Sequence, residues 1–76
     1  MNKKLFISVM VRYGDTQETL ANAMGLSVSR LNAKINERDG ASFDQKEIQF
    51  IIERYSLTRD EAMDIFFTFE VSPQST

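Results

Sequence analysis

The side chains of this sequence that could do chemistry are suited to hydrogen bonding rather than to making or breaking bonds. The 76 residues include no histidine and no cysteine, so the commonest general base and the thiolate metal ligand are both missing. Asp60 and Glu61 are neighbouring carboxylates, but they follow Thr58 in a pattern typical of a helix start, where acidic residues stabilise the first turn. We therefore expect no enzymatic activity, no cofactor and no metal site.

The stretch that organises the remaining polar side chains runs from Gln17 to Asn36 and has the pattern of two short helices joined by a tight turn. The first helix is predicted over residues 17–24 and the second over residues 28–36. Gly25 lies where a residue with positive φ commonly ends a helix, and Ser27 can cap the next helix. Apolar residues share the inward faces: Leu20, Ala21 and Met24 in the first helix, Leu31 and Ile35 in the second. This spacing predicts a helix-turn-helix.

The residues of this stretch, together with a later run, resemble those of a known family. Thr16-Gln17, Leu20-Ala21, Gly25-Leu26-Ser27, Leu31 and Ile35-Asn36 resemble the Cro/repressor (XRE) class of helix-turn-helix regulators of bacteria and their phages. Phe43, Glu47-Ile48, Tyr55, Leu57-Thr58, Glu61 and Ile65-Phe66-Phe67 resemble its small single-domain members from phages of low-GC Gram-positive bacteria. The resemblance extends over residues 3–67. It implies an all-α domain of five helices that regulates transcription by binding a double-stranded DNA operator.

The resemblance also implies which residues would contact DNA. The second helix of the motif would lie in the major groove, where the side chains facing away from Leu31 and Ile35 meet base edges. The implied base contacts are Ser27, Val28, Ser29, Arg30, Asn32 and Ala33. The implied phosphate contacts are Thr16, Gln17, Lys34, Asn36 and Arg38, with Gln17 at a helix N-terminus that favours phosphate. Because the base-contacting surface has few long polar side chains, we expect modest sequence discrimination.

Three further helices are predicted around the motif. Apolar spacing predicts a first helix over residues 3–13 with Leu5, Phe6, Val9, Met10 and Tyr13 inward. Ile7 and Val11 form a second stripe that is either buried or open to a partner. Ser42 and Gln45 predict a capping box at the start of the fourth helix, whose apolar stripe is Ile48, Ile51, Ile52 and Tyr55. Thr58 and Glu61 predict another capping box at the start of the fifth helix, in which Met63 and Phe66 can be core.

The end of the sequence is unusually apolar for a small domain. Phe67, Phe69 and Val71 alternate with Thr68 and Glu70, a period typical of a strand. A terminal apolar segment with nothing left to cover it indicates either a partner or a tail that folds back on its own core. The simplest partner is a second copy, so these three residues are the predicted homodimer interface. Residues 1–71 are then the helix-turn-helix domain, and residues 72–76 are expected to be a disordered tail.

Composition and charge leave two functional classes open. The net charge is −2, but residues 1–40 carry six lysines and arginines against four carboxylates, whereas residues 41–76 carry three against seven. The basic half contains the motif, as expected if one side faces DNA phosphates. The acidic remainder and the apolar tail favour the alternative, a helix-turn-helix module that binds another phage or host regulator protein. Because no stretch is long enough to span a membrane, we expect a cytoplasmic protein of the bacterial cytosol or nucleoid.

Overall fold

Residues 1–67 fold into five α-helices and one short 3₁₀ turn, without a β-strand, in the computed structural model that describes this part of the chain. The elements are α1 (Lys3–Arg12), α2 (Gln17–Met24), α3 (Val28–Asn36), the 3₁₀ turn Arg38–Gly40, α4 (Gln45–Arg54) and α5 (Arg59–Phe66). The predicted all-α class is confirmed. Among the helices of residues 1–67, none combines the length and the apolar character that crossing a bilayer requires.

The helices begin at residues whose side-chain oxygens accept a hydrogen bond from a backbone N–H of the first turn. Ser27 and Thr58 cap α3 and α5, as their positions in the sequence indicate. At α2 the sequence favours Thr16 as the cap but also allows a capping box of Asp15 with Glu18, and the structure has Thr16. The prediction for α4 is wrong, because its N-cap is Asp44, which forms a capping box with Glu47. A carboxylate is a stronger acceptor than a hydroxyl. Starting α4 there also leaves Phe43 outside the helix, where its side chain is buried in the core.

The turn between α2 and α3 is set by a residue in the left-handed region. Gly25 follows α2 with φ 71°, and the N–H of Leu26 donates to the carbonyl of Ala21 over 2.9 Å. This pair of features is the Schellman geometry that ends many helices. It leaves only Gly25, Leu26 and the cap Ser27 between the two helices, so α3 starts at a fixed position relative to α2.

The core lies between all five helices and is almost entirely apolar. Its most completely buried side chains are Phe6, Leu20, Leu31, Ile35, Ile51, Tyr55 and Ile65. The rings of Phe6, Phe43 and Phe66 pack together, with centroids 5.6 to 6.3 Å apart. α1 and α5 run antiparallel, because the N–H of Asn2 donates to the carbonyl of Ile65 over 2.7 Å and Arg12 lies 3.4 Å from Glu61 at the other end.

Some side chains that the apolar spacing places inward lie at the surface instead. Tyr13 and Met63 are both half-exposed. Tyr13 lies beyond the last residue of α1, and its ring packs against the outside of Tyr55 with the centroids 5.2 Å apart. In α5 the inward positions are taken by Ala62 and Ile65, which turns Met63 outward. The second stripe of α1 divides: Ile7 packs against the core and Val11 is exposed.

A polar cluster fixes the start of α2 against the end of α4. Asp15 accepts two hydrogen bonds from the guanidinium of Arg54, at 2.7 and 3.0 Å, and one from the hydroxyl of Tyr55 at 2.7 Å. Thr19, in the first turn of α2, donates a fourth hydrogen bond over 2.8 Å. The hydrogen bonds from Arg54 and Tyr55 hold the pKa of the Asp15 carboxyl well below its usual range, against the opposing effect of its burial.

Candidate nucleic-acid interface

The beginning of α3 presents a row of exposed side chains on a helix whose other face is fixed in the core. Leu31 and Ile35 are buried and hold this helix against α2. Of the predicted base contacts, the first four in sequence are exposed, whereas Asn32 and Ala33 are partly buried. The structure therefore places Ser27, Val28, Ser29 and Arg30 at one accessible end of α3.

These four side chains offer different recognition chemistry. The hydroxyl oxygen of Ser27 accepts the N–H of Arg30 over 3.1 Å, which leaves its hydrogen for another acceptor. Val28 is an apolar side chain with 45% of its surface exposed. Within residues 1–67, no hydrogen bond or ion pair engages the side chains of Ser29 and Arg30. A free hydroxyl, a free guanidinium and an apolar contact surface thus follow one another around the first turn of α3.

A chain of side-chain hydrogen bonds joins three of the predicted contact residues. The amide nitrogen of Asn32 donates to Oε1 of Gln17 over 3.1 Å, and the guanidinium of Arg38 donates to Oδ1 of Asn32. The amide of Asn36 donates to the backbone carbonyl of Asn32 over 2.9 Å. Nζ of Lys3 donates to Oδ1 of Asn36. Two carboxamides of α3 therefore each hold a cation from outside the helix: Asn32 holds Arg38, and Asn36 holds Lys3.

The chemistry of the donors fixes which way each carboxamide points. Arginine and lysine can only donate, so the atoms that face Arg38 and Lys3 must be the oxygens of Asn32 and Asn36. The nitrogen of Asn32 then faces Gln17, and only an oxygen of Gln17 can accept from it. Both hydrogens on Nε2 of Gln17 remain for another acceptor, because no other hydrogen bond of Gln17 side-chain atoms occurs within residues 1–67.

Lys34, another predicted phosphate contact, is engaged in the fold. Its Nζ lies 3.0 Å from Oε1 of Glu47 and donates to the carbonyl of Ser42 over 3.1 Å. Only 14% of its side-chain surface is exposed. The lysine therefore ties α3 to the start of α4, and a phosphate contact by Lys34 stays a prediction that would require this ion pair to open.

Thr16 and the loop after α3 complete the predicted phosphate surface. The hydroxyl oxygen of Thr16 accepts the N–H of Thr19 over 3.1 Å, so its predicted contact role has to be combined with capping α2. In the loop, Glu37 adopts a left-handed φ of 52° and lies 3.1 Å from the amino group of Met1. This ion pair reduces the negative charge next to Arg38.

The sequence predicts the residues of this surface but not their connections. Lys3 was not predicted at the site, and no local pattern could place it there, because it is separated from Asn36 by 33 residues. The spacing of Asn32 and Asn36, four residues apart, is the one local signal of two carboxamides on a shared helix edge.

The predicted dimer interface falls at the edge of the described structure. Phe67 follows α5 and 48% of its surface is exposed. Phe69 and Val71 lie outside the described residues. Among residues 1–67, there is also no cluster of three or more acidic side chains that could hold a metal ion.

Comparison of the chain with protein-family models, with curated proteins and with solved structures found no match. The resemblance to the Cro/repressor class therefore stays a prediction.

Proposed function

We propose that this protein is a small DNA-binding transcription regulator of the Cro/repressor type, in which α2 and α3 form a helix-turn-helix and α3 docks in the major groove. The observation that carries the proposal is the exposed start of α3, where Ser29 and Arg30 have no partner within residues 1–67 and Val28 is open to solvent. In helix-turn-helix complexes, the N-terminal residues of the second helix contact base edges.

The side chains at this end of α3 match the chemistry of the major groove. An arginine can donate two hydrogen bonds to one guanine, a serine can bond to any base, and an apolar side chain can pack on the methyl group of thymine. Arg30, Ser29 and Val28 provide one of each kind. Of the three, only Arg30 would discriminate strongly between bases, so we expect an operator in which few base pairs determine the affinity.

Contacts to the DNA backbone would come from the start of α2 and from the turn that follows α3. The first N–H groups of α2 have no carbonyl partner within the helix, and the helix dipole favours an anion there. Gln17 adds two free hydrogens at this helix start, and Arg38 adds a guanidinium that its neighbour Asn32 holds in place. Such contacts set the register of a protein on DNA, while base contacts supply specificity.

A homodimer would place two copies of α3 in successive major grooves. The two half-sites of such an operator lie about one helical turn apart. The exposed Phe67 at the end of α5 supports this assembly, together with the apolar Phe69 and Val71 that follow it in the sequence. By occupying an operator, the dimer would block or redirect transcription in the bacterial cytosol.

Binding to another regulator protein is the second candidate function, and one observation favours it. Lys34 is paired with Glu47, which removes a positive charge from a surface that already carries Glu37 and Asp39. An exposed valine at the start of α3 would then contact an apolar side chain of the partner instead of thymine.

A fluorescence-polarisation titration with DNA from the neighbourhood of its own gene, at low and moderate salt, separates the two functions. We expect salt-sensitive binding that prefers one DNA sequence. Arg30→Ala should weaken operator binding by about 5- to 150-fold, the range of one good base contact. Arg59→Ala is the matched control, because Arg59 is an exposed arginine at the start of α5.

Two results would overturn the assignment. Equal operator affinity for Arg30→Ala and the wild type would mean that this end of α3 does not dock on DNA. Absence of binding at both salt concentrations by a folded protein would exclude the operator and leave the protein partner.

A further inference from the structure

The side chain of Asn32 lies at the centre of the hydrogen-bond chain between α2 and the 3₁₀ turn. We propose that Asn32 is a positioning residue, which orients Gln17 and Arg38 toward one DNA phosphate and does not itself contact a base. This inference rests on the proposed function, because it names the role of one residue in that DNA complex. It concerns a residue whose amide chemistry alone would suggest a bidentate contact to adenine.

Both polar atoms of the Asn32 carboxamide are already in use. A bidentate contact to adenine needs the side-chain oxygen as acceptor and one amide hydrogen as donor. The oxygen of Asn32 accepts from the guanidinium of Arg38, and its nitrogen donates to Gln17 over 3.1 Å. Asn32 is also partly buried, unlike the four residues at the start of α3. Each atom keeps one further lone pair or hydrogen, so a base would have to share the carboxamide with Arg38 and Gln17 and reach a side chain that is already partly buried.

The directions of the hydrogen bonds determine which polar groups remain unused at the two ends of the chain. Donation runs from Arg38 to Asn32 and from Asn32 to Gln17, so Gln17 accepts and retains both hydrogens on Nε2. Arg38 uses one of its five N–H groups on Asn32 and is otherwise exposed. Both ends of the chain thus offer unused N–H donors, and one of these ends is a guanidinium cation, so the ligand that suits them best is an acceptor-only anion. On DNA, that group is a backbone phosphate.

The carboxamide of Asn36 repeats the arrangement one turn along α3. It accepts from Lys3 and donates to the backbone carbonyl of Asn32. The peptide group of Asn32 is therefore held as well as its side chain. A residue held at three points, two on its carboxamide and one at its backbone carbonyl, loses little further conformational entropy on binding, which is the physical basis of preorganisation.

The test is a double-mutant cycle on Asn32 and Arg38, measured on operator DNA and on DNA of unrelated sequence at several salt concentrations. A positioning residue acts through backbone contacts, so Asn32→Ala should weaken binding to both DNAs by the same factor, of the order of 5-fold. The salt dependence of binding should fall toward that of Arg38→Ala, which loses about one phosphate contact. Adding Asn32→Ala to Arg38→Ala should weaken binding by clearly less than the roughly 5-fold seen in the wild type, because only the effect through Gln17 remains. Asn22→Ala is the matched control, because Asn22 is an exposed asparagine of α2.

The opposite pattern would overturn the proposal. If Asn32→Ala weakens only operator binding, and its effect multiplies with that of Arg38→Ala, Asn32 is a base contact.

Nuclear magnetic resonance of the free protein separates this failure from failure of the proposed function. The side-chain amide resonances of Gln17 should shift in Asn32→Ala and stay unchanged in Asn22→Ala; unshifted resonances would show that the hydrogen-bond chain does not form. Shifted resonances in a protein that binds neither DNA would refute DNA binding, and the phosphate role with it, while leaving the chain itself intact.

Discussion

Among the polar side chains of residues 1–67, the carboxylate of Asp15 is the one whose substitution should lower stability most. We expect Asp15→Asn to lower the free energy of unfolding by about 2–3 kcal/mol, since a hydrogen bond to a charged group contributes about 1.5–3 kcal/mol. Asp15 accepts three hydrogen bonds from Arg54 and Tyr55, and its side chain is 10% exposed. Asparagine keeps one oxygen but turns an NH₂ group toward donors. The charge attraction of the ion pair itself adds little, because the Arg54 side chain is 32% exposed to screening solvent.

The effect should depend on pH in a direction that the hydrogen bonds determine. The guanidinium of Arg54 and the hydroxyl of Tyr55 lower the pKa of folded Asp15, so the unfolded chain binds a proton at a higher pH than the folded protein. The stabilisation by Asp15 is therefore complete above the pKa of an unfolded aspartate, about 3.9, and is lost as the pH falls toward the folded pKa. The difference between the wild type and Asp15→Asn should be full at pH 7 and smaller at pH 3.

Urea unfolding followed by circular dichroism at pH 7 and at pH 3 measures both the loss of unfolding free energy and its dependence on pH. Asp39→Asn is a suitable control, because Asp39 is an exposed aspartate of the 3₁₀ turn. Tyr55→Phe should show a smaller loss of about 1.5 kcal/mol, the lower end of the range for a hydrogen bond to a charged group, because Arg54 still donates to the carboxylate and the ring stays packed. A difference below about 0.5 kcal/mol at pH 7 would refute the argument, since that is the range of ordinary surface substitutions. An equal loss at both pH values would refute the assignment of the pKa shift.

Two further substitutions test the surfaces around the motif. Because Lys34 is paired with α4, Lys34→Met should lower thermal stability yet change operator affinity less than about 3-fold, and a change as large as that for Arg30→Ala would show that the ion pair opens on DNA. Phe67→Ser should convert a dimer into a monomer in light scattering, with Tyr13→Ser as a control at another half-exposed aromatic residue, and an unchanged mass would exclude Phe67 from the interface.

The helix boundaries of this protein follow from local chemistry wherever one cap dominates. The sequence predicts the starts of α3 and α5 from Ser27 and Thr58, and at α2 it favours Thr16 over an alternative capping box of Asp15 with Glu18. The start of α4 is ambiguous in the sequence, because Ser42 with Gln45 and Asp44 with Glu47 are overlapping capping boxes. The second pair wins in the structure since it buries Phe43, a tertiary gain that no local pattern contains.

The surface positions of Tyr13 and Met63 have a related cause. Helical spacing gives the face on which a residue lies but not the extent of the neighbouring elements. Tyr13 continues the stripe of α1, yet the helix ends one residue earlier and the chain turns toward α2. From the buried residues of α3 the sequence predicts its exposed start, but Asn32 and Ala33, which it also places on that face, are partly buried. The links to Gln17 and Lys3 require contacts across 15 and 33 residues, which only the folded chain supplies.

The three cations of α3 and the following turn differ in how far the fold has already engaged them, and this difference determines where binding energy can arise. A phosphate approaching Lys34 has to displace Glu47 from a side chain that is mostly buried, and the displaced carboxylate would then face the phosphate. Arg38 can bind without giving up its hydrogen bond to Asn32, because a guanidinium has five donors. Arg30 has no bond to break within residues 1–67. Discrimination between bases should therefore be concentrated at the start of α3. In a domain this small, Lys34 also holds α3 against α4. Stronger discrimination between DNA sequences would therefore require additional hydrogen-bond donors beside Arg30, not the release of Lys34 from Glu47.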